Sequence, residues 1–203
     1  MRDGSPSRDV VSVMPIMPEE NSRESHVPST RGADFDDAAF NALFHECSRD
    51  VHAYAISLLG DRAAAEDVTA LAFERLYRSR RRLDRRRGTP RAWLFAIARN
   101  AALDELRRRR RQPSLELDGE RLGDPGSDEA FERVEQRATV RQALASLSLR
   151  ERELVLLKFH GQLSNAELAK VLAISESNAG TRLHRALAHL REQCLELDRQ
   201  EVA

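Results

Sequence analysis

Four helix punctuation marks divide this chain and leave little room for anything but α-helices. Gly60-Asp61 reads as a stop followed by a start, the glycine closing one helix in the left-handed conformation and the aspartate capping the next. Thr89-Pro90 is a second start, because proline at the first helical position loses an N–H that would have no partner anyway. Ser148-Leu-Arg-Glu151 and Ser164-Asn-Ala-Glu167 both match the capping box, in which the serine accepts from a first-turn N–H and the glutamate bonds back. Before and between these marks the apolar residues recur at helical spacing: Phe40, Leu43, Phe44, Cys47 and Val51, then Val68, Leu71, Ala72 and Leu76. The bias toward Ala, Leu, Arg and Glu, with strands hard to find, points the same way. The expected fold is all-α.

A length of 203 residues with 5% aromatics allows one domain or two small ones with modest helical cores. The two cysteines, Cys47 and Cys194, lie far apart and form no ligand spacing, so neither a disulfide framework nor a zinc site is expected. His45, Cys47 and His52 share one helix at a spacing that makes no metal site; Cys47 is expected in the core and the histidines outside it. No apolar run approaches the ~20 residues of a membrane span and no signal segment opens the chain, so a cytoplasmic protein without membrane insertion is expected. No phosphate loop, nucleophile–base pattern or zinc signature is visible, so neither an enzyme nor a cofactor is expected.

The net charge of zero hides a segregation along the chain. Residues 1–37 and 38–74 each carry a net −4, residues 75–111 hold fifteen arginines against three acids, and residues 114–135 hold eight acids against two arginines. Blocks this polarised bind or mask something. The basic block centres on the helix from Thr89, where Trp93, Leu94, Ile97, Ala98 and Ala101 fall in one sector of about 140°, leaving Arg99 opposite and Asn100 at the border. That helix is expected half buried and half presented, with Trp93 a core anchor rather than a stacking platform. Arg107 to Arg111 follow at its end, where each also complements the helix dipole.

Residues 1–34 mix Ser, Pro, Arg, Glu and Met without periodicity and are expected to be a disordered extension. Residues 35–111 form a first helical domain, 112–133 a flexible acidic linker containing Gly119, Gly123, Pro125 and Gly126, and 134–193 a second helical domain before a short tail, 194–203. In the second domain, Ser164–Leu172, a three-residue turn and Glu176 to about Gln193 have the spacing of a helix-turn-helix. Ile174 plugs its turn and Ala179, Leu183, Ala186, Leu187 and Leu190 bury one face of the second helix. The opposite face carries Ser177, Asn178, Thr181, Arg182 and Arg185, side chains suited to base edges in a major groove and to flanking phosphates.

These landmarks together resemble the bacterial sigma factors of the extracytoplasmic-function subgroup, over about residues 35–111 and 134–192. In the first domain they are Leu58-Leu59-Gly60-Asp61, Ala65-Glu66-Asp67-Val68, Arg87-Gly88-x-Pro90-x-x-Trp93-Leu94, Ile97-Ala98-Arg99-Asn100 and Asp104-x-x-Arg107. The second adds Arg152-Glu153, Glu167-Leu168-Ala169, Leu172-x-Ile174-Ser175 and Thr181-Arg182-Leu183-x-Arg185-Ala186. The resemblance implies that the first domain binds the clamp helices of core RNA polymerase and the promoter −10 element. It implies that the second binds the −35 element and the polymerase flap, and that an anti-sigma factor is a further partner. Capturing single-stranded bases outside the stack calls for cations on the backbone and a polar reader, for which Arg86, Arg87, Arg91, Arg99, Asn100 and Arg107 are the candidates. The −35 candidates are Ser177, Asn178, Thr181, Arg182 and Arg185.

The chain departs from the family pattern at Ala70-Leu71, where a Gln-Glu pair is usual. Leu71 is then an apolar candidate for polymerase contact beside Glu66, Asp67 and Glu74. Gly180 stands where lysine is frequent and either permits close backbone approach to DNA or is tolerated drift. The alternative reading is a stand-alone helix-turn-helix regulator acting as a dimer, which explains residues 164–193 and leaves the arginine block idle; a third is a scaffold that uses the arginines on nucleic acid without specificity.

Overall fold

In the computed structural model, the described residues are 35–83, 88–111 and 131–201. The N-terminal extension, most of the expected linker, and Arg86 and Arg87 lie outside them. The described chain forms seven α-helices, and no strand occurs among the described residues.

The local signals act where they were expected. Helix α1 (Asp37–Leu59) starts at Asp36, whose carboxylate accepts from the Ala39 N–H at 2.8 Å, and ends at Gly60 with φ +67° and ψ 13°. A side chain at Gly60 would be strained by that left-handed backbone. Asp61 then caps α2 (Arg62–Ser79) by accepting from the Ala64 N–H at 3.0 Å. A 3₁₀ turn, Arg80–Arg82, follows. Helix α3 (Pro90–Arg111) opens with the Thr89 hydroxyl accepting from the Ala92 N–H at 3.1 Å.

Helix α4 (Phe131–Ser146) is closed from outside: the guanidinium of Arg152 donates to the carbonyls of Leu144, Ala145 and Leu147. Both capping boxes form, Ser148–Glu151 at the head of α5 (Leu149–Phe159) and Ser164–Glu167 at the head of α6 (Asn165–Leu172). Ala173 turns the chain with φ +54°, and α7 (Glu176–Glu201) continues past Gln193.

Helices α1, α2 and α3 close on Leu43, Cys47, Val51, Tyr54, Leu58, Val68, Leu76, Leu94 and Phe95, with the Tyr54 and Phe95 rings edge-on at 5.8 Å. Helices α4 to α7 bury Leu147, Leu154, Leu157, Leu163, Leu168, Ala179, Leu183 and Ala186. The two sets are continuous, because α5 lies against α1 and α6 against α3. The tight corner between α5 and α6 depends on Gly161: a Cβ there would stand 2.3 Å from the Leu157 carbonyl oxygen.

Candidate nucleic-acid interface

The outer face of α7 is assembled as its sequence predicts. Ile174 packs against the core from the turn, Ala179, Leu183 and Ala186 are buried, and Leu187 and Leu190 are half-buried. That anchoring leaves Ser177, Thr181, Arg182 and Arg185 exposed and Asn178 half-buried at the edge of the same face. The Ser175 hydroxyl accepts from the Asn178 N–H at 3.3 Å, so the row begins at a capped helix N-terminus. Gly180 is not part of the outward row. A Cβ on it would point at the Asn165 amide of α6, at an ordinary 3.6 Å, so the missing side chain faces the neighbouring helix.

On α3 the candidates divide differently. Trp93 and Ile97 are half-buried against the core, while Ala92, Leu94, Phe95, Ala98, Ala101 and Ala102 are buried. The expectation of a helix half buried and half presented does not hold at Arg99. Its side chain is 11% exposed and forms an ion pair with Glu153 of α5, 7% exposed, at 2.5 Å. The cause is the seam between the two sets of helices, where α6 lies against α3 and α5 against α1, which brings Glu153 to Arg99. The Arg99–Glu153 approach is close but off-angle for a hydrogen bond, and the buried Tyr54 hydroxyl beside it also has no hydrogen-bond partner. Burial drives the Tyr54 phenol well above its ordinary pKa, the Glu153 charge adds to the rise, and the Arg99 charge opposes it.

Arg91 is held from two directions. Its side chain is 14% exposed; it pairs with Glu46 at 3.2 Å and with Asp50, both on α1, and donates to the carbonyls of Gly161 at 2.7 Å and His160 at 3.0 Å. It also donates to the Cys47 sulfur at 3.2 Å. Burial nonetheless pushes the Cys47 thiol up to about 11, against the pull of Arg91, so it stays protonated and inert near neutral pH. Asn100 is half-buried, its side-chain oxygen 3.5 Å from an Arg99 nitrogen. Arg107 is exposed and paired with Asp104 at 2.8 Å. Behind it Glu105 accepts from Arg108 and Arg109, and Arg109 reaches Asp61 at 2.8 Å. Hydrogen bonding from Arg108 in the first place, then from Arg109, outweighs burial and holds the Glu105 carboxyl down to about 2. The basic end of α3 is thus partly neutralised by its own chain.

The candidates for protein contact lie together on α2. Glu66, Asp67 and Glu74 are exposed and Leu71 is half-buried; Glu66 pairs with Arg62 and Glu74 with Arg78.

The sequence reading missed Glu153, Glu46 and Asp50 as partners of the α3 arginines. A signal for Glu153 was available: it lies four residues from both Leu149 and Leu157, an acid in an apolar helical row. Arg99 likewise follows an unbroken apolar run from Ala92 to Ala98, the pattern of a helix covered on most sides. Among the described residues no group of His, Cys, Asp and Glu is arranged to hold a metal, and no helix is long and apolar enough to cross a membrane.

Two family models match this chain, Sigma-70 region 2 over residues 43–112 and Sigma-70 region 4 over residues 137–190. The chain is 32% identical over 161 residues to the ECF RNA polymerase sigma factor SigL of Mycobacterium tuberculosis, covering 79% of this chain and 91% of that one. It is 27% identical over 171 residues to SigK of Mycobacterium bovis, covering 82% and 91%. Among solved structures it resembles CnrH in complex with the cytosolic domain of CnrY, with 25% identity, a TM-score of 0.59 and coverage of 80% and 91%. It shares its fold with RpoE from Bartonella quintana, solved with the anti-sigma factor NepR, at 22% identity, a TM-score of 0.62 and coverage of 79% and 98%.

Proposed function

Because the chain belongs to the ECF RNA polymerase sigma factors, we propose that it joins core RNA polymerase and divides promoter recognition between its domains. The first domain takes the −10 element and the second the −35 element. The observation that carries this reading is the outward row of α7, where Ser177, Thr181, Arg182 and Arg185 stand exposed beyond a helix-turn-helix corner. Arginine forks suit guanine edges and phosphates, and short hydroxyls fit the space between them, so the row is adapted to duplex DNA.

The −10 element must be opened, and the α3 surface is suited to strands rather than to a groove. Asn100 offers donor and acceptor to a displaced base, while exposed Arg107, together with Arg86 and Arg87, holds the backbone; Arg91 and Arg99 are engaged in ion pairs within the chain. Polymerase contact falls to the α2 face with Glu66, Asp67, Leu71 and Glu74 for the clamp helices, and to the second domain for the flap. A regulatory protein partner of the anti-sigma kind belongs to the same reading, supported by the likeness to CnrH, which is solved with a piece of CnrY. The place of action is the cytoplasm, where polymerase and promoter are.

Tethering two DNA contacts on one polymerase raises affinity through effective concentration and gives specificity to the holoenzyme. Run-off transcription with core polymerase tests the proposal. Initiation at a defined start only when the chain is added is the expected result. Tight duplex binding by the chain alone, without initiation in the presence of core, would overturn it in favour of a stand-alone regulator.

A further inference from the structure

We propose that the chain pairs with a second copy of itself through the C-terminal turns of α7, laid antiparallel across Leu195. These turns lie beyond residue 190, where the match to Sigma-70 region 4 stops. Their inward side is partly covered, with Leu190, Cys194 and Leu197 half-buried. On the outward side Leu195 is 48% exposed, in a shallow concavity lined by Ala188, Arg191, Glu192, Glu196 and Arg199, all of them exposed. A lone exposed leucine carries no information, because much of any protein surface is apolar. The charges around it do.

At about 100° per residue, Arg191 and Asp198 stand about 40° and 60° to one side of Leu195, and Glu192 and Arg199 about 60° and 40° to the other. Each edge of the strip therefore carries one cation and one anion, on opposite sides of Leu195 along the axis. A two-fold axis at Leu195, perpendicular to the helix, turns α7 end for end and brings like edges together. Arg191 then meets Asp198 of the second copy and Glu192 meets its Arg199, each contact made twice, around a central pair of Leu195 side chains. Elsewhere the surface charges of this chain pair within their own helix, Arg62 with Glu66, Arg78 with Glu74 and Arg107 with Asp104. Arg191, Glu192 and Arg199 make no ion pair with another described residue, so their charges are presented outward.

The antiparallel order follows from the other half of the helix. A parallel pair would run Arg182 and Arg185 of both copies along each other, whereas the antiparallel pair sends these cations to opposite ends. Thr181, Ala188 and Leu195 are seven residues apart and share one face, so the DNA row and the pairing strip point the same way. In the pair the two rows consequently face in opposite directions and cannot read one palindromic duplex. Pairing is thus separate from promoter recognition, and its test is independent of that reading. Three helical turns present less than the roughly 800 Å² per partner of a standard interface, so the association is weak and reversible.

Sedimentation velocity of the full chain from about 1 to about 100 µM tests the pairing. A rise in sedimentation coefficient toward that of a dimer is expected, and a chain that stays monomeric throughout would overturn the proposal. Leu195→Asp is expected to abolish the rise. Arg191→Asp and Asp198→Arg are each expected to weaken pairing about tenfold, since each replaces two opposite-charge contacts by two like-charge ones, and the double variant Arg191→Asp/Asp198→Arg to restore it. A double variant no better than the singles would overturn the edge contacts. Orientation is read with Leu195→Cys in a Cys194→Ser background, the native Cys47 being buried. Mild oxidation should join two copies through position 195, while Thr181→Cys in the same background should stay unjoined. Joining through 181 as readily as through 195 would mark a parallel pair, and dimers that persist in Leu195→Asp would place the contact elsewhere; either result overturns the assignment.

Discussion

Gly180 and Gly161 are both glycines of the second domain, and their surroundings assign them opposite roles. The space beside Gly180 admits a methyl group at ordinary contact distance, and its φ lies outside the left-handed region. Alanine there removes the glycine penalty of helix formation, so Gly180→Ala should stabilise the protein by about 0.5–1 kcal/mol, read as a higher urea midpoint. Since the added methyl faces α6, affinity for duplex −35 DNA should not fall. Gly161→Ala is expected to do the reverse, because its Cβ would lie 2.3 Å from a backbone oxygen and the corner must shift. An overpacked site of this kind costs about 1–3 kcal/mol. Neither outcome is legible from sequence, where both are glycines near helical segments; the distinction lies in which backbone each one meets. Arg99 shows the same limit from the other side. It was expected on the presented side of α3, and its burial depends on a helix some fifty residues further along the chain.

At the scale of elements, local chemistry was legible because caps and stop signals act within four residues. Gly60, Asp61, Thr89 and the two capping boxes each bond to their own helix, and each is found doing so. The basic end of α3 was less legible, since its arginines are shared between the helix, Glu105 and Asp61. A pH dependence follows from this sharing. The Glu105 carboxyl is depressed from 4.5 to about 2, so the folded form favours its ionised state. The stability it contributes is complete above about pH 4.5 and is lost as the pH falls toward about 2. Glu105→Gln should therefore flatten the acid limb of stability within that window while leaving the shape above it unchanged. Urea midpoints compared at about pH 3 and about pH 6 give the measurement.

At the scale of the whole molecule, the proposed division of labour gives each domain its own promoter element. Asn100 lies on α3 and Arg182 on α7, and the two helices belong to different matched models. Asn100→Ala is expected to weaken initiation most on promoters altered outside the −10 element, and Arg182→Ala to act through the −35 element. Removing a bidentate base contact costs about 1–3 kcal/mol, which corresponds to roughly 5-fold to 150-fold in transcript yield at limiting holoenzyme. Transcription from promoter pairs differing in one element checks this, and loss through the same element for both variants would undo the assignment. The helix starts were legible in the caps, whereas the seam was not, because no periodicity records which faces meet at long range. Glu167 sits where those two kinds of information cross. One of its oxygens completes the capping box of α6 and the other receives the Thr89 hydroxyl, which itself caps α3. Substitutions at Thr89 and Ser164, 75 positions apart in the numbering, therefore share one carboxylate, and their effects on stability should be non-additive, an epistasis between two helix starts written through a single side chain.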